Sequence, residues 1–241
     1  MSQPSPALFL TTVNSYQRTV AIKAAIELEI FTAIGSGIET TPTLAQKCQA
    51  SERGIRILCD YLTILGFLTK QAEGYKLTSD SATFLDKQSP AYIGGTVEFT
   101  LSPMITESFS NLTKAVQKGG TVISSQGTLE AEYPVWVNFA RGMSTSTAMP
   151  AKSIAQLVNG DSLAPIKVLD ISASHGLFGI AFAQRNPNAN IFAVDWAPVL
   201  EVAKENANKL NVGERFHTIA GSATVRRTSA NSNIIGVFSG K

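Results

Sequence analysis

The sequence predicts an α/β protein in two parts, a mostly helical module followed by an incomplete, doubly wound parallel domain. Three observations carry this reading. Over the first hundred of 241 residues, apolar positions recur at helical spacing and give way once to a short two-strand pattern. The pattern then stays helical as far as Leu157. After Asp161 short apolar runs alternate with amphipathic helices, as βαβ units require. The implied divisions are residues 1–100, a helical connector at 101–160, and a partial α/β domain at 161–241.

In the first module a helix is expected over Tyr16 to Ile34, with Val20, Ile22, Ala25, Ile26, Leu28 and Ile30 apolar and Gly35 and Gly37 as its stop. Thr41-Pro42 reads as an N-cap with proline at the first helical position. Ser51 opens the next helix, where Ile55, Leu58, Cys59, Leu62 and Leu65 form one apolar stripe. Phe67 to Gln71 and Tyr75 to Leu77, around Glu73-Gly74, make a hairpin. Three helices and a β wing amount to a winged-helix module. DNA binding needs a basic third helix, whereas Ser51 to Leu65 sets Arg53 and Arg56 against Glu52 and Asp60. Packing or dimerisation is therefore expected, and DNA binding is the alternative.

Capping candidates at Ser79, Ser89-Pro90 and Ser102-Pro103 predict further helices up to a break at Gly119-Gly120. A loop with Ser124, Ser125 and Gly127 follows. Next come a helix with Trp136, Phe139 and Met143 and a further one through Ile154 and Leu157. The α/β part starts with a strand from Ile166 to Leu169, ending in Asp170, and a helix with Leu177, Ile180 and Ala181. A strand from Ile191 to Val194 ends in Asp195, and a helix with Val199, Val202 and Ala203 leads to a strand from Phe216 to Ile219. Parallel strands with right-handed crossovers follow from this order.

A composition of 44% hydrophobic and 16% charged residues is that of a globular chain. No apolar run approaches the roughly 20 residues of a bilayer span. The stretch from Met1 to Leu10 lacks the basic residues of a secretory signal, so a cytoplasmic protein is expected. Net charge is +2. Arg226, Arg227 and Lys241 are three of the 20 bases, which leaves 17 against 18 acids in residues 1–223. A neutral body offers no electrostatic footprint for nucleic acid or an anionic membrane. Cys48 and Cys59 have no metal-ligand spacing and read as reduced core thiols.

Ligands of such sheets sit beyond the carboxyl ends of the strands, so the loop from Ile171 to Gly176 is the candidate site. Ser174 to Gly179 matches the dinucleotide pattern G-x-G-x-x-G with serine for its first glycine, and Asp195 follows about 20 residues on. Alternatively, Asp170 to Gly176 matches the acidic-x-G-x-G-x-G loop that holds S-adenosylmethionine. Charge separates the two, because a carboxylate at Asp170 repels a pyrophosphate and favours a ligand with an ammonium and a sulfonium. In either case Asp195 accepts from a ribose diol. Trp196 could lie along an adenine face or at the core edge, and Ser222 could sit at the adenine edge.

Taken whole, residues 16–223 resemble the bacterial relatives of the caffeate and hydroxyindole type O-methyltransferases. The resemblance rests on Ala21 to Leu28, Ser51 to Leu58, Gly66-Phe67-Leu68, Phe139 to Met143 and Val168 to Gly179. It implies a winged-helix dimerisation domain, a Rossmann-like domain that binds S-adenosyl-L-methionine, a homodimer, and a small hydroxylated aromatic or polyketide-like acceptor. Asp170, Ser172, Ser174 and Gly176 would hold the methionine end, Asp195 the ribose, and Phe139 and Met143 would approach the acceptor cleft. Ser172 and Ser174 depart from the family's glycines. Neither His175 nor His217 matches the family's general base, so the catalytic residue is unassigned. The resemblance further implies a truncated, catalytically incomplete form whose first strand lacks a neighbour on one side, unless Ile234 to Phe238 pairs there. A non-catalytic dimerising or ligand-sensing protein is the alternative from another class.

Overall fold

The computed structural model describes residues 3–72, 74–122, 134–159, 162–221 and 234–238. The chain divides into two compact units, Met1–Gly94 and Gly95–Lys241.

The first unit runs α1 (Ala7–Asn14), α2 (Tyr16–Glu27), α3 (Ile30–Gly35), α4 (Thr41–Lys47), α5 (Glu52–Ile64), β1 (Leu68–Gln71), β2 (Gly74–Leu77) and α6 (Ser79–Phe84). The expected helices and wing are present, the hairpin pairing antiparallel from Leu68↔Leu77 to Gln71↔Gly74. Ser51 caps α5, its Oγ accepting the N–H of Gly54 at 3.1 Å. Of the apolar stripe, Ile55, Cys59 and Leu62 are fully buried, as are Ile30, Phe31 and Leu44 of the same unit. Both cysteines are free thiols, Cys48 half-buried and Cys59 buried, and burial pushes the Cys59 thiol up to about 12.

Four local expectations need correction. The helix predicted over Tyr16 to Ile34 is broken, because Glu29 takes a left-handed conformation (φ 55°). Its carboxylate lies 2.7 Å from Lys87 Nζ, and the Cys48 thiol donates to the Leu28 carbonyl at 3.2 Å. These bonds hold the chain at the break, and Ala25 and Ile26 before it and Ile30, Phe31, Ala33 and Ile34 after it are all buried. The caps of α4 and α6 fall one residue early, on Thr40 and Thr78, so Thr41 and Ser79 are already helical. Ser89-Pro90 opens no helix, since the Ser89 hydroxyl donates to the Thr83 carbonyl and accepts from the Ala91 N–H in a turn. Helix α1 was not anticipated; it buries none of its residues and exposes Leu8, Phe9, Leu10 and Val13.

The second unit opens with α7 (Thr96–Thr100), α8 (Pro103–Ser110), α9 (Leu112–Lys118) and α10 (Pro134–Asn159). Gly119 ends α9 with a left-handed cap. The predicted loop with Ser124, Ser125 and Gly127 lies outside the described residues. Helix α10 is one element where two were expected, with Pro150 inside it. Proline removes one backbone bond from a helix. Packing carries α10 across the gap, as Ala140 on one side and Ala151 and Ala155 on the other are fully buried.

There follow β3 (Ile166–Ile171), α11 (Leu177–Arg185), β4 (Ala189–Asp195), α12 (Ala197–Lys209), a 3-10 turn (Gly213–Arg215), β5 (Phe216–Ala220) and β6 (Ile234–Phe238). All four strands are parallel, in the order β5-β4-β3-β6. The first strand is not left uncovered, because the exception the sequence allowed for is the one found: β3 has β6 on its second side, paired from Lys167↔Ile234 to Ile171↔Phe238. Val168, Ile180, Phe182, Ile191, Leu200 and Ala203 are buried between sheet and helices. The Arg215 guanidinium donates to three carbonyl oxygens around the α11–β4 turn, those of Ala183 (2.8 Å), Ala189 (3.0 Å) and Asn186 (3.1 Å).

Candidate functional site

At the carboxyl ends of β3 and β4 the sheet delivers a loop, residues 172–176, and two carboxylates. The loop alternates in hand, with Ser172 (φ 56°), Ser174 (φ 53°) and Gly176 (φ 74°) all left-handed. Left-handed backbone crowds a Cβ and is disfavoured for residues other than glycine. The two serines therefore hold the conformation that the pattern ordinarily assigns to glycine. At Gly176 space adds a second restriction, because a Cβ would lie 2.9 Å from the Phe216 ring and 3.0 Å from Ala203.

Asp195 ends β4 and is almost fully buried. Its Oδ2 accepts the N–H of Ser174 at 2.9 Å and its Oδ1 the N–H of Trp196 at 2.8 Å, while its carbonyl accepts from Gly221 at 3.0 Å. One residue thus joins the loop after β3, the start of α12 and the end of β5. A carboxylate offers about four lone-pair positions, of which these backbone donors use two.

Asp170 lies inside β3, which runs one residue past it, and it is fully buried. Its Oδ2 accepts the N–H of Gly179 at 3.1 Å, in the first turn of α11, where the helix dipole favours negative charge. Its Oδ1 is buried and has no hydrogen-bond partner among the described residues. Burial pushes the Asp170 carboxyl up to about 7; the Gly179 N–H opposes the shift and the charge of Asp195 adds to it. Gly179 permits this approach, since a Cβ there would strike the Ile191 side chain and sit 3.2 Å from Asp170 Oδ2.

His175 is buried in the same loop, and burial alone pushes its imidazole down to about 4, so the ring is neutral. Its Nδ1 accepts the Leu177 N–H at 3.2 Å, and Asn206 Nδ2 donates to its carbonyl at 2.9 Å. His217 is exposed on β5, 3.3 Å from Asn190 Oδ1.

The structure brings Asp170, Ser172, Ser174, Gly176 and Asp195 together. Trp196 is half-buried and packs against the cluster of Ala140, Val199 and Val202. Phe139 meets Phe99 edge-on at 5.2 Å and Trp136 at 6.0 Å. Met143 lies one turn further along α10, half-buried, and its carbonyl accepts from the Thr147 hydroxyl at 2.9 Å. Ser222 lies outside the described residues. The sequence reading singled out Gly179 only as the last glycine of the dinucleotide pattern, whereas here it braces the buried acid.

Three comparisons bear on these observations. Residues 10–87 match the model of the O-methyltransferase dimerisation domain. The chain is 24% identical over 218 residues to 3-hydroxy-5-methyl-1-naphthoate 3-O-methyltransferase of Streptomyces sahachiroi, a match covering 89% of this chain and 62% of that protein. It is 67% identical to an O-methyltransferase candidate from Nostoc punctiforme of known crystal structure, with a TM-score of 0.83, covering 93% of this chain and 66% of the other. Human N-acetylserotonin methyltransferase, solved in complex with SAM, shares the fold at 18% identity and a TM-score of 0.71, covering 92% of this chain and 68% of that one. The chain therefore spans a little under two thirds of the first two of these relatives.

Proposed function

We propose, from the premise that this chain belongs with the O-methyltransferases by its dimerisation domain and its fold, that the loop 172–176 with Asp195 binds S-adenosylmethionine. The activity served is methyl transfer to a hydroxyl of a small aromatic or polyketide-like acceptor, with two copies associating through the N-terminal unit.

The observation that carries this reading is the partnerless, fully buried Oδ1 of Asp170, two residues ahead of the left-handed loop. A buried acceptor without a donor is unfavourable by itself, and a cationic ligand group meets its need. A pyrophosphate would add negative charge beside Asp170, whose carboxyl the charge of Asp195 already raises. S-adenosylmethionine supplies, when bound, an electrophilic methyl group on a cationic sulfur. The chain's own contribution is positional. Backbone donors from Ser174 and Trp196 fix the Asp195 carboxylate, leaving it oriented to accept from a ribose diol. His175 commits its Nδ1 to Leu177, so this buried, neutral ring steadies the loop rather than taking the acceptor's proton.

The dimer reading draws support from the matched domain and from the exposed Leu8, Phe9, Leu10 and Val13 of α1. Calorimetry with S-adenosylmethionine, S-adenosylhomocysteine and NAD tests the cofactor. The two adenosyl ligands should bind well ahead of NAD, and tighter binding of NAD would remove the methyltransferase reading.

A further inference from the structure

Resting on that reading, we propose that the side-chain hydroxyl of Ser174, and not merely its backbone, is a ligand-binding group: it hydrogen-bonds the bound adenosyl cofactor and so determines how tightly this chain holds it. Two independent features of the structure converge on this residue. Ser174 occupies a left-handed conformation (φ 53°) that a glycine would adopt without strain. Its Oγ is also buried and has no hydrogen-bond partner among the described residues, in a residue only 3% exposed. Buried hydroxyls are nearly always satisfied, and one that is not marks a missing partner or a functional strain. Glycine would remove both penalties at once, so for the chain by itself the serine is the worse residue on both counts.

What the hydroxyl faces is set by its neighbours. The N–H of the same residue holds Oδ2 of Asp195, the carboxylate read as the ribose acceptor. In Asp170, four residues earlier, a second buried oxygen also lacks a partner. Among the described residues the two orphaned atoms do not satisfy one another, so each remains open to a ligand group. A hydroxyl can donate or accept, which suits the polar rim of an adenosyl ligand, with its ribose hydroxyls, ammonium and carboxylate. An extra donor would then compensate for the close backbone approach that glycine allows.

The test compares the wild-type protein with Ser174→Gly and Ser174→Ala, by melting of the empty protein and by calorimetric titration with S-adenosylhomocysteine. Ser174→Gly should melt about 2 to 4 °C higher, because strain and an unsatisfied hydroxyl are both removed. It should nevertheless bind S-adenosylhomocysteine roughly five-fold more weakly, the size of one neutral hydrogen bond. Ser174→Ala keeps the left-handed strain and loses only the hydroxyl, so it should show a similar loss of affinity. A merely structural serine predicts stabilisation with unchanged or improved binding, and that result would overturn the inference while leaving the cofactor reading in place. Failure of the wild-type protein itself to bind S-adenosylhomocysteine would overturn both.

Discussion

The backbone N–H of Ser174 donates to Oδ2 of Asp195 at 2.9 Å, a bond across 21 residues that ties the loop after β3 to the tip of β4. Because Oδ1 of the same carboxylate holds the Trp196 N–H, both oxygens are oriented by the chain's own backbone. Such preorganisation lowers the ordering cost of binding.

Replacing Asp195 by alanine should therefore act twice. S-adenosylhomocysteine binding should weaken by about 1.5 to 3 kcal/mol, the worth of hydrogen bonds to a charged acceptor. The empty protein should also melt lower, because two backbone donors lose their partner. Calorimetry reads the first effect and thermal melting the second; unchanged affinity would show that the carboxylate serves the fold alone.

Asp170 and His175 should impose opposite pH dependences on stability. The Asp170 carboxyl is raised from 3.8 to about 7, so the folded protein keeps a proton that the unfolded chain gives up. Its contribution is fully present below about pH 4 and is lost as pH rises through 7. His175 is lowered from 6.5 to about 4, so its contribution is present above pH 6.5 and is lost as pH falls through 4. Across the shared window the two slopes oppose, and the wild-type melting temperature should vary little on their account. In Asp170→Asn the histidine acts alone and stability should climb with pH, whereas in His175→Gln it should fall. Melting curves of the three proteins between about pH 4 and pH 7 provide the check.

Gly179→Ala should destabilise the second unit by about 1 to 3 kcal/mol, the usual penalty of overpacking. The added methyl collides with Ile191 and presses on Asp170 Oδ2. Urea unfolding followed by far-ultraviolet circular dichroism measures this, and a neutral outcome would mean that α11 can slide along the sheet.

Phe9→Asp, on the exposed face of α1, should leave the melting of a monomer within about 0.5 kcal/mol of wild type, as surface substitutions do. In a dimer that buries this face it should instead shift the association equilibrium toward monomer. Sedimentation equilibrium at micromolar concentration distinguishes the cases, and a wild-type protein that remains monomeric would dispose of the interface.

Much of the fold is legible in sequence because period and punctuation agree: the α5 stripe, the hairpin and the βαβ alternation each carry redundant signals. The breaks are less legible. Nothing local marks Glu29 as left-handed, since the bonds that hold it come from Lys87, 58 residues away, and Cys48, 20 residues from Leu28. Pro150 misleads in the opposite sense, because tertiary burial of Ala140, Ala151 and Ala155 outweighs one lost helix bond. At the site, the pattern of acid and small residues singled out the candidate loop, but not that Asp170 is fully buried. That burial is a property of the packed sheet, where Gly179 of α11 comes close enough to donate to Oδ2.

The three carbonyls gripped by Arg215 have a bearing on the order of assembly. They belong to the end of α11 and the start of β4, 26 to 32 residues earlier in the chain. The clamp can close only after that corner exists, so it belongs to the late side of the folding barrier. An Arg215→Ala protein should fold at nearly the wild-type rate and unfold faster, the signature of a low φ-value. The guanidinium thus acts as a latch on the lifetime of the folded unit, leaving the speed of its formation to the βαβ core.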